Sequence, residues 1–174
     1  MLLMPAKPLA ATLFSLVLGA TPVLAADITP AAAAKPVPAA QVQLQNVQGG
    51  SAALADYRGQ VVLLDFWASW CGPCRESFPW MNSLQQRFGE QGLKVVAVNL
   101  DDDSAAAREF LTQIPAQFTV LLDPEAQLPE TFGVMGMPSS YLIDRQGKLR
   151  ATHVGFHSQR IPDYENTIKT LLAE

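Results

Sequence analysis

Continuous runs of apolar residues predict the buried strands of a central sheet in this sequence. The longest run is 61–67, in which Asp65 is the one charged residue. A run of this kind is typical of a strand that is covered on both faces, because an exposed face would show alternating polar positions. Residues 93–100 predict a second buried strand, and residues 119–122 predict another strand.

Apolar residues at helical spacing predict the helices that connect these strands. In 74–88, for example, one side of the helix carries Phe78, Met81, Leu84 and Phe88. The other helices are expected at 104–114, at 128–132 and from Pro162 towards the end of the chain. Hairpins are expected around Gly49 and Gly50 and between 140–144 and 149–155. Strands that alternate with helices and end in an antiparallel pair indicate an α/β fold with a mixed central sheet flanked by helices.

Residues 1–40 differ in composition from the rest of the chain. Residues 1–25 contain Lys7, an apolar run and small residues at the end, which is the pattern of a cleaved secretory signal peptide. The apolar run is shorter than the roughly 20 residues that span a membrane, so an uncleaved anchor is the less favoured alternative. Residues 26–40 are mostly Ala and Pro and predict a semi-extended linker. The working domain is therefore expected over 41–174.

Charge and cysteine content restrict the classes of function. The formal net charge is −4, and Lys and Arg are scattered along the chain. No basic stripe is available to neutralise a phosphate backbone, so nucleic acid is not expected as a partner. The chain has 2 cysteines, and no other pair could cross-link the fold in the oxidising compartment that export implies. The two thiols are therefore expected to react with each other or with a partner.

The pair Cys71 and Cys74 carries the candidate chemistry. It lies at a predicted strand-to-helix junction, where unpaired backbone N–H groups and the helix dipole favour a negative charge on the first sulfur. Cys71 is therefore the expected thiolate nucleophile. Cys74, one helical turn later, is expected to resolve the mixed disulfide that Cys71 forms with a partner.

Three other interpretations of the cysteine pair are open. A structural zinc site needs four ligands, and the remaining donors are His153 and His157, far along the chain and without a second cysteine pair. Covalent haem attachment needs His directly after the second cysteine, where this chain has Arg75. A purely structural disulfide would close a loop too small to restrict much of the unfolded chain. Redox chemistry is favoured over all three.

The sequence around the cysteines resembles the active-site run of the thioredoxin superfamily. It reads Asp65-Phe66-Trp67-Ala68-Ser69-Trp70-Cys71-Gly72-Pro73-Cys74. Within that superfamily, this chain resembles the TlpA/ResA-like branch. The resemblance lies in the expected export, in the segment Tyr57-Arg58-Gly59-Gln60 before the central strand, in the extra helix and strand at 104–122, and in Met137-Pro138-Ser139-Ser140. The resemblance implies a thioredoxin fold with an N-terminal hairpin and a central helix-strand insertion, and the activity of an extracytoplasmic thiol-disulfide oxidoreductase.

The resemblance also implies roles for residues outside the cysteine pair. Pro138 matches a cis-proline whose backbone docks the substrate strand beside Cys71, and an ordinary trans proline in a loop is the alternative. Trp70 matches a docking residue on the exposed rim. The rest of the expected substrate-docking set is Gly72, Pro73 and Met137.

Two acids are candidates for proton transfer. Asp65 lies inside the predicted central strand, where burial would raise its pKa and let it give or take a proton as Cys74 changes state. A hydrogen-bonded carboxylate without a catalytic role is the alternative. The resemblance also points to an acid after the next strand, and Asp102 fits it best, although three consecutive Asp residues also suit a solvated loop and a helix cap.

The expected function is that of a periplasmic reductase of protein disulfides, for example in cytochrome c maturation or copper-protein assembly. The resemblance implies a membrane thiol reductant as electron donor and no cofactor beyond the redox-active cysteine pair, and a monomer is the expected state. A protein disulfide oxidase or isomerase is the alternative within the same class. A Cu(I)-binding chaperone is the alternative outside it, with Met135 or Met137 beside the two thiolates, but the cysteine spacing and the lack of a nearby His speak against it.

Overall fold

The computed structural model describes residues 28–174, and the predicted signal peptide at 1–25 lies outside the described residues. The strands in this part of the chain are Leu44–Asn46 (β1), Ser51–Ala52 (β2), Val61–Trp67 (β3), Leu93–Asn99 (β4), Thr119–Leu122 (β5), Ser139–Ile143 (β6) and Leu149–Val154 (β7). The helices are Gly72–Phe88 (α1), Ser104–Gln113 (α2), Pro129–Phe132 (α3) and Ile161–Ala173 (α4), with short 3-10 turns at Leu54–Tyr57, Gly89–Gln91 and Ser158–Arg160. None of the helices in residues 28–174 is long and apolar enough to cross a membrane.

The strands form one mixed sheet in the order β2-β1-β5-β4-β3-β6-β7. Strand β3 pairs in parallel with β4 and antiparallel with β6, and every residue of β3 is buried. It is therefore the central strand that its continuous apolar run predicts. The hairpin of β1 and β2 forms one edge of the sheet, and β7 forms the other. This arrangement confirms the predicted α/β fold with a mixed sheet.

The side chains of β3 alternate between two cores on opposite faces of the sheet. Leu63 and Trp67 pack in the cluster that contains both cysteines and residues of α1, α2 and α4. Leu64 and Phe66 pack in the opposite cluster, together with residues of α3. Because successive residues of a strand point to opposite faces, Asp65 belongs to the face that carries the cysteines.

The described part of the predicted semi-extended linker, residues 28–40, lies against the edge of the sheet and is hydrogen-bonded to it. The N–H of Thr29 donates to the carbonyl of Arg150 over 2.7 Å, and Ala34 and Val37 are buried. Backbone hydrogen bonds to β7 and the turn before it hold this segment. Composition does not predict such bonds, because every residue type except proline carries the same backbone donor and acceptor.

Candidate active site

The two cysteines form a disulfide at the start of α1, with their Cα atoms 5.3 Å apart. Cys71 is the N-cap of this helix, and its sulfur lies 3.3 Å from the backbone nitrogen of Cys74. Pro73 lies in the first turn, where its missing N–H breaks no helical hydrogen bond. The helix therefore begins at Gly72, earlier than the predicted position 74, because the cap precedes the first apolar residue of the helix.

The two sulfurs differ in their access to solvent. Cys71 is 5% exposed and borders an open surface, whereas Cys74 is fully buried. An incoming thiolate can therefore reach Cys71 but not Cys74. A thiolate at Cys71 would also lie at the N-terminus of α1, where the backbone N–H groups stabilise negative charge. This geometry supports the predicted division of roles between nucleophile and resolving thiol.

An open groove of about 520 Å³ lies beside the disulfide. Its lining residues are Trp70, Cys71, Gly72, Pro73, Leu100, Pro129, Val134, Met135, Gly136 and Met137. None of these side chains is charged, and Trp70 and Met135 are 73% and 95% exposed. The residues expected to dock a substrate are therefore together around Cys71. Both methionines considered as Cu(I) ligands line the same groove.

The peptide bond between Met137 and Pro138 is cis, as predicted. The carbonyl of Pro138 accepts a hydrogen bond from the N–H of Gly155 over 2.8 Å, and proline has no N–H of its own. The backbone of Pro138 is thus already engaged within the fold. Met137, the residue before it, lines the groove, and the docking role of the Pro138 backbone stays a prediction.

Asp65 lies on the face of the sheet that carries the disulfide, and its side chain is buried, with 1% of the residue exposed. Its Oδ1 accepts a hydrogen bond of 2.6 Å from the hydroxyl of Ser140. Oδ2 has no hydrogen-bond partner among residues 28–174. Burial raises the pKa of the carboxyl to about 7, although the hydrogen bond from Ser140 lowers it. Near neutral pH this carboxyl can therefore both hold and release a proton, and its role in catalysis stays a prediction.

The acid that contacts the active-site loop after β4 is Asp101. Its carboxylate accepts hydrogen bonds from the N–H of Ser69 at 3.0 Å, from the hydroxyl of Ser69 at 3.1 Å and from the amide of Asn99 at 2.8 Å. Asp102, which the resemblance favoured, is exposed. Asp101 thus fixes the loop two positions before Cys71. A signal in the sequence was available, since Asp101 is the first acid after the buried run.

The remaining metal donors lie apart from the groove. His153 lies in β7 and His157 follows that strand, and neither lines the groove beside the disulfide. Within residues 28–174, no group of three or more His, Cys, Asp or Glu residues is arranged to hold a metal ion.

Known proteins resemble this chain over most of the described domain. The model of the redoxin family matches residues 32–168. The chain is similar to the thiol-disulfide oxidoreductase ResA of Bacillus subtilis (strain 168), with 34% identity over 127 residues that cover 72% of this chain and 71% of the relative. It is 35% identical over 104 residues to ResA of Bacillus thuringiensis subsp. konkukian (strain 97-27). That match covers 60% of this chain and 60% of the length of the relative.

Solved structures give the same result for the fold. The crystal structure of a proposed thiol:disulfide interchange protein DsbE from Chlorobium tepidum is 48% identical, with a TM-score of 0.77 and coverage of 80% of this chain and 96% of that chain. Together with the order of the strands, this likeness confirms the thioredoxin fold that the sequence resemblance implied.

Proposed function

This chain belongs to the redoxin family, and from that membership we propose that it is a thiol-disulfide oxidoreductase that reduces protein disulfides outside the cytoplasm. The observation that carries the proposal is the unequal access of the two sulfurs. Cys71 borders an open groove, whereas Cys74 is buried behind it. Such a pair exchanges electrons with one partner at a time, because only one of its sulfurs can form a mixed disulfide.

The proposed reaction begins with the reduced protein. The Cys71 thiolate attacks one sulfur of the substrate disulfide, so that a bond between Cys71 and the substrate forms as the substrate S–S bond breaks. Cys74 gives its proton to the Asp65 carboxylate and attacks Cys71, which closes the protein disulfide. Each substrate sulfur leaves as a thiolate and takes a proton from water. The substrate gains two electrons, and the protein loses them.

The groove favours a substrate segment without charged side chains. Its lining offers no ion pair, and the exposed surfaces of Trp70 and Met135 are apolar. An extended, apolar stretch beside the substrate cysteine would cover these two side chains, and the backbone of Met137 would pair with it as an added strand does. The protein substrate proposed here is therefore recognised by backbone pairing and apolar contact.

The proposed location and partners depend on the N-terminal sequence and on the direction of electron flow. The signal peptide expected at 1–25 would carry the protein out of the cytoplasm. A reductase in an oxidising compartment stays reduced only if a donor supplies electrons, so a membrane thiol reductant is the proposed donor. Proteins of cytochrome c maturation and of copper-protein assembly are the candidate substrates. The protein is proposed to act as a monomer and to need no cofactor beyond the cysteine pair.

The reduction potential of the cysteine pair tests the direction of the reaction. The purified protein is equilibrated with glutathione redox buffers, and the fraction of alkylated thiols is measured by mass spectrometry. A potential near or below about −230 mV supports a reductase, whereas one near about −120 mV supports an oxidase and overturns the proposal. Cys74→Ser is the matched control, because this variant can form only the mixed disulfide of Cys71 with glutathione.

A further inference from the structure

Three polar residues form a row across β3, β6 and β7 on the face of the sheet that carries the cysteines. Asp65 pairs with Ser140 in the register of β3 and β6, and Ser140 pairs with His153 in the register of β6 and β7. Directly paired residues of neighbouring strands project from the same face of a sheet. The row therefore leads from the central strand to the edge strand.

The row connects a buried group with groups that are closer to solvent. Asp65 is 1% exposed, whereas Ser140 and His153 are half-buried. The first step of the row is a direct contact, the hydrogen bond of 2.6 Å from the Ser140 hydroxyl to Asp65. The buried carboxyl therefore has its hydrogen-bond partner on the side of the edge strand.

A small cavity bridges the second step of the row. Ser140 and His153 both line it, as do Trp80 of α1 and Tyr164 of α4. The space for the centre of a water molecule is about 10 Å³, which matches a single molecule. The indole N–H of Trp80 and the hydroxyl of Tyr164 are buried and have no hydrogen-bond partner among the described residues. Four residues with polar side-chain atoms thus line a space of the size of one water, and apolar side chains such as Leu63, Leu142 and Ile168 form the rest of its wall.

Aromatic rings pack against one another around this cavity. The rings of His153 and Tyr164 lie 4.7 Å apart, and those of Trp80 and Phe156 lie 5.4 Å apart, measured between centroids. Outside Tyr164, the guanidinium of Arg160 lies 5.5 Å from the centroid of its ring. His153 lies at the outer end of the row, and its imidazole ring has two nitrogens, one of which can accept a proton while the other donates one.

We propose that Ser140, a water molecule in this cavity and His153 form the route by which Asp65 exchanges its proton with solvent. The proposal rests on the proposed function, because it concerns the proton that Cys74 gives up or regains in each disulfide exchange. Asp65 passes its proton to the Ser140 oxygen as the hydroxyl proton of Ser140 moves to the water. The water passes a proton to one ring nitrogen of His153, and the other ring nitrogen releases one to solvent. One proton leaves, and each group of the route keeps its charge.

The rate of disulfide reduction at two pH values tests the route. Reduction of the Cys71–Cys74 disulfide by dithiothreitol is followed by tryptophan fluorescence in a stopped-flow instrument. Burial raises the pKa of Asp65 to about 7. At about pH 6 the carboxyl therefore already holds the proton that the leaving Cys74 needs, whereas at about pH 8.5 this proton must be delivered.

Removal of the imidazole should slow the reaction only where a proton must be delivered. His153→Ala is expected to react at least about fivefold more slowly than the wild-type protein at about pH 8.5 and within about twofold of it at about pH 6. Imidazole in the buffer should restore the rate of His153→Ala, because it can occupy the place of the missing ring. His157→Ala is the matched control, because His157 is the other histidine and is exposed, and it should behave as wild type.

Ser140→Ala distinguishes the loss of proton transfer along the route from a change in the pKa of Asp65, because the two effects change the rate in opposite directions. Loss of the hydrogen bond from Ser140 would raise the pKa of Asp65 further, and this change alone would speed the reaction at about pH 8.5. The route instead predicts a slower reaction at that pH, by at least about fivefold, which imidazole does not restore.

The possible failures of the route and of the proposed function can be told apart. If His153→Ala keeps the wild-type rate at both pH values while Asp65→Asn is slow, the route is overturned and the proposed function stands. A loss in His153→Ala that is equal at both pH values and insensitive to imidazole also overturns the route, because it indicates a structural role. If the wild-type protein itself fails to reduce a protein disulfide, the proposed function fails.

Discussion

Asp65→Asn is expected to stabilise the oxidised protein, and the gain is expected to grow as the pH rises. The carboxyl of Asp65 is 1% exposed, and burial raises its pKa to about 7. The same carboxyl in the unfolded chain has a pKa of about 3.9. Between these two values the folded protein holds a proton that the unfolded chain releases. The ionisation of Asp65 therefore contributes a loss of stability to the wild-type protein as the pH rises through this window.

The size of the effect follows from a gap of about three pKa units. Each unit corresponds to about 1.4 kcal/mol, so the carboxyl destabilises the fold by about 4 kcal/mol above about pH 7. Below about pH 4 the carboxyl is protonated in both states, and this contribution disappears. Asparagine carries no charge in either state. The difference in free energy of unfolding between Asp65→Asn and wild type should therefore widen by about 1.4 kcal/mol per pH unit and level off above about pH 7.

Urea unfolding of the oxidised proteins, followed by circular dichroism at a series of pH values, measures this difference. Reductant is left out so that the disulfide stays closed. Asp102→Asn is the matched control, because Asp102 is exposed and should differ from wild type by a constant amount. A constant difference for Asp65→Asn as well would refute the expectation. Asp65 would then ionise as easily in the folded protein as in the unfolded chain, and its proposed proton exchange with Cys74 would lose its basis.

Four further substitutions test the site and the fold. Asp101→Ala should lower the free energy of unfolding by about 2 kcal/mol in urea unfolding, because it removes the charged hydrogen bonds that hold the loop before the disulfide. Arg150→Ala should lower it by about 3–5 kcal/mol, because it leaves the buried carboxylate of Asp144 without its ion-pair partner. Arg160→Ala breaks an exposed ion pair and should change it by less than about 1 kcal/mol. Cys74→Ser should accumulate a mixed disulfide with a substrate protein, visible by mass spectrometry, and a variant that forms no adduct would contradict the proposed division of roles.

Hydrophobic patterning predicts the strands of this fold where a run of apolar residues has sharp ends. Strands β3 and β5 span the predicted residues 61–67 and 119–122. Segment 28–40 could not be predicted in this way, because its contacts with the sheet include backbone hydrogen bonds. The pattern of side chains carries information about burial and little about which backbone groups pair at an edge.

The position of the disulfide at the start of α1 follows from local sequence, whereas the groups that surround Asp65 do not. Asp101 and Asp102 are neighbouring acids, and only the path of the chain after β4 turns Asp101 towards the active-site loop. Ser140 and His153 become neighbours of Asp65 through the register of three strands. A shift of one residue in either pairing would move one of them to the other face of the sheet, and alternation alone does not fix that register.

The burial of Cys74 gives a physical reason for an acid in the central strand. Cys74 is closed off from solvent, so the proton that it gains or loses in the proposed reaction cannot pass directly to water. A buried carboxyl on the same face can carry that proton near neutral pH only if burial brings its pKa into that range. The destabilisation of about 4 kcal/mol and the ability to donate a proton near pH 7 are therefore two results of one desolvated carboxyl. Asp65→Asn should accordingly remove both, giving a protein that unfolds less readily and exchanges disulfides more slowly.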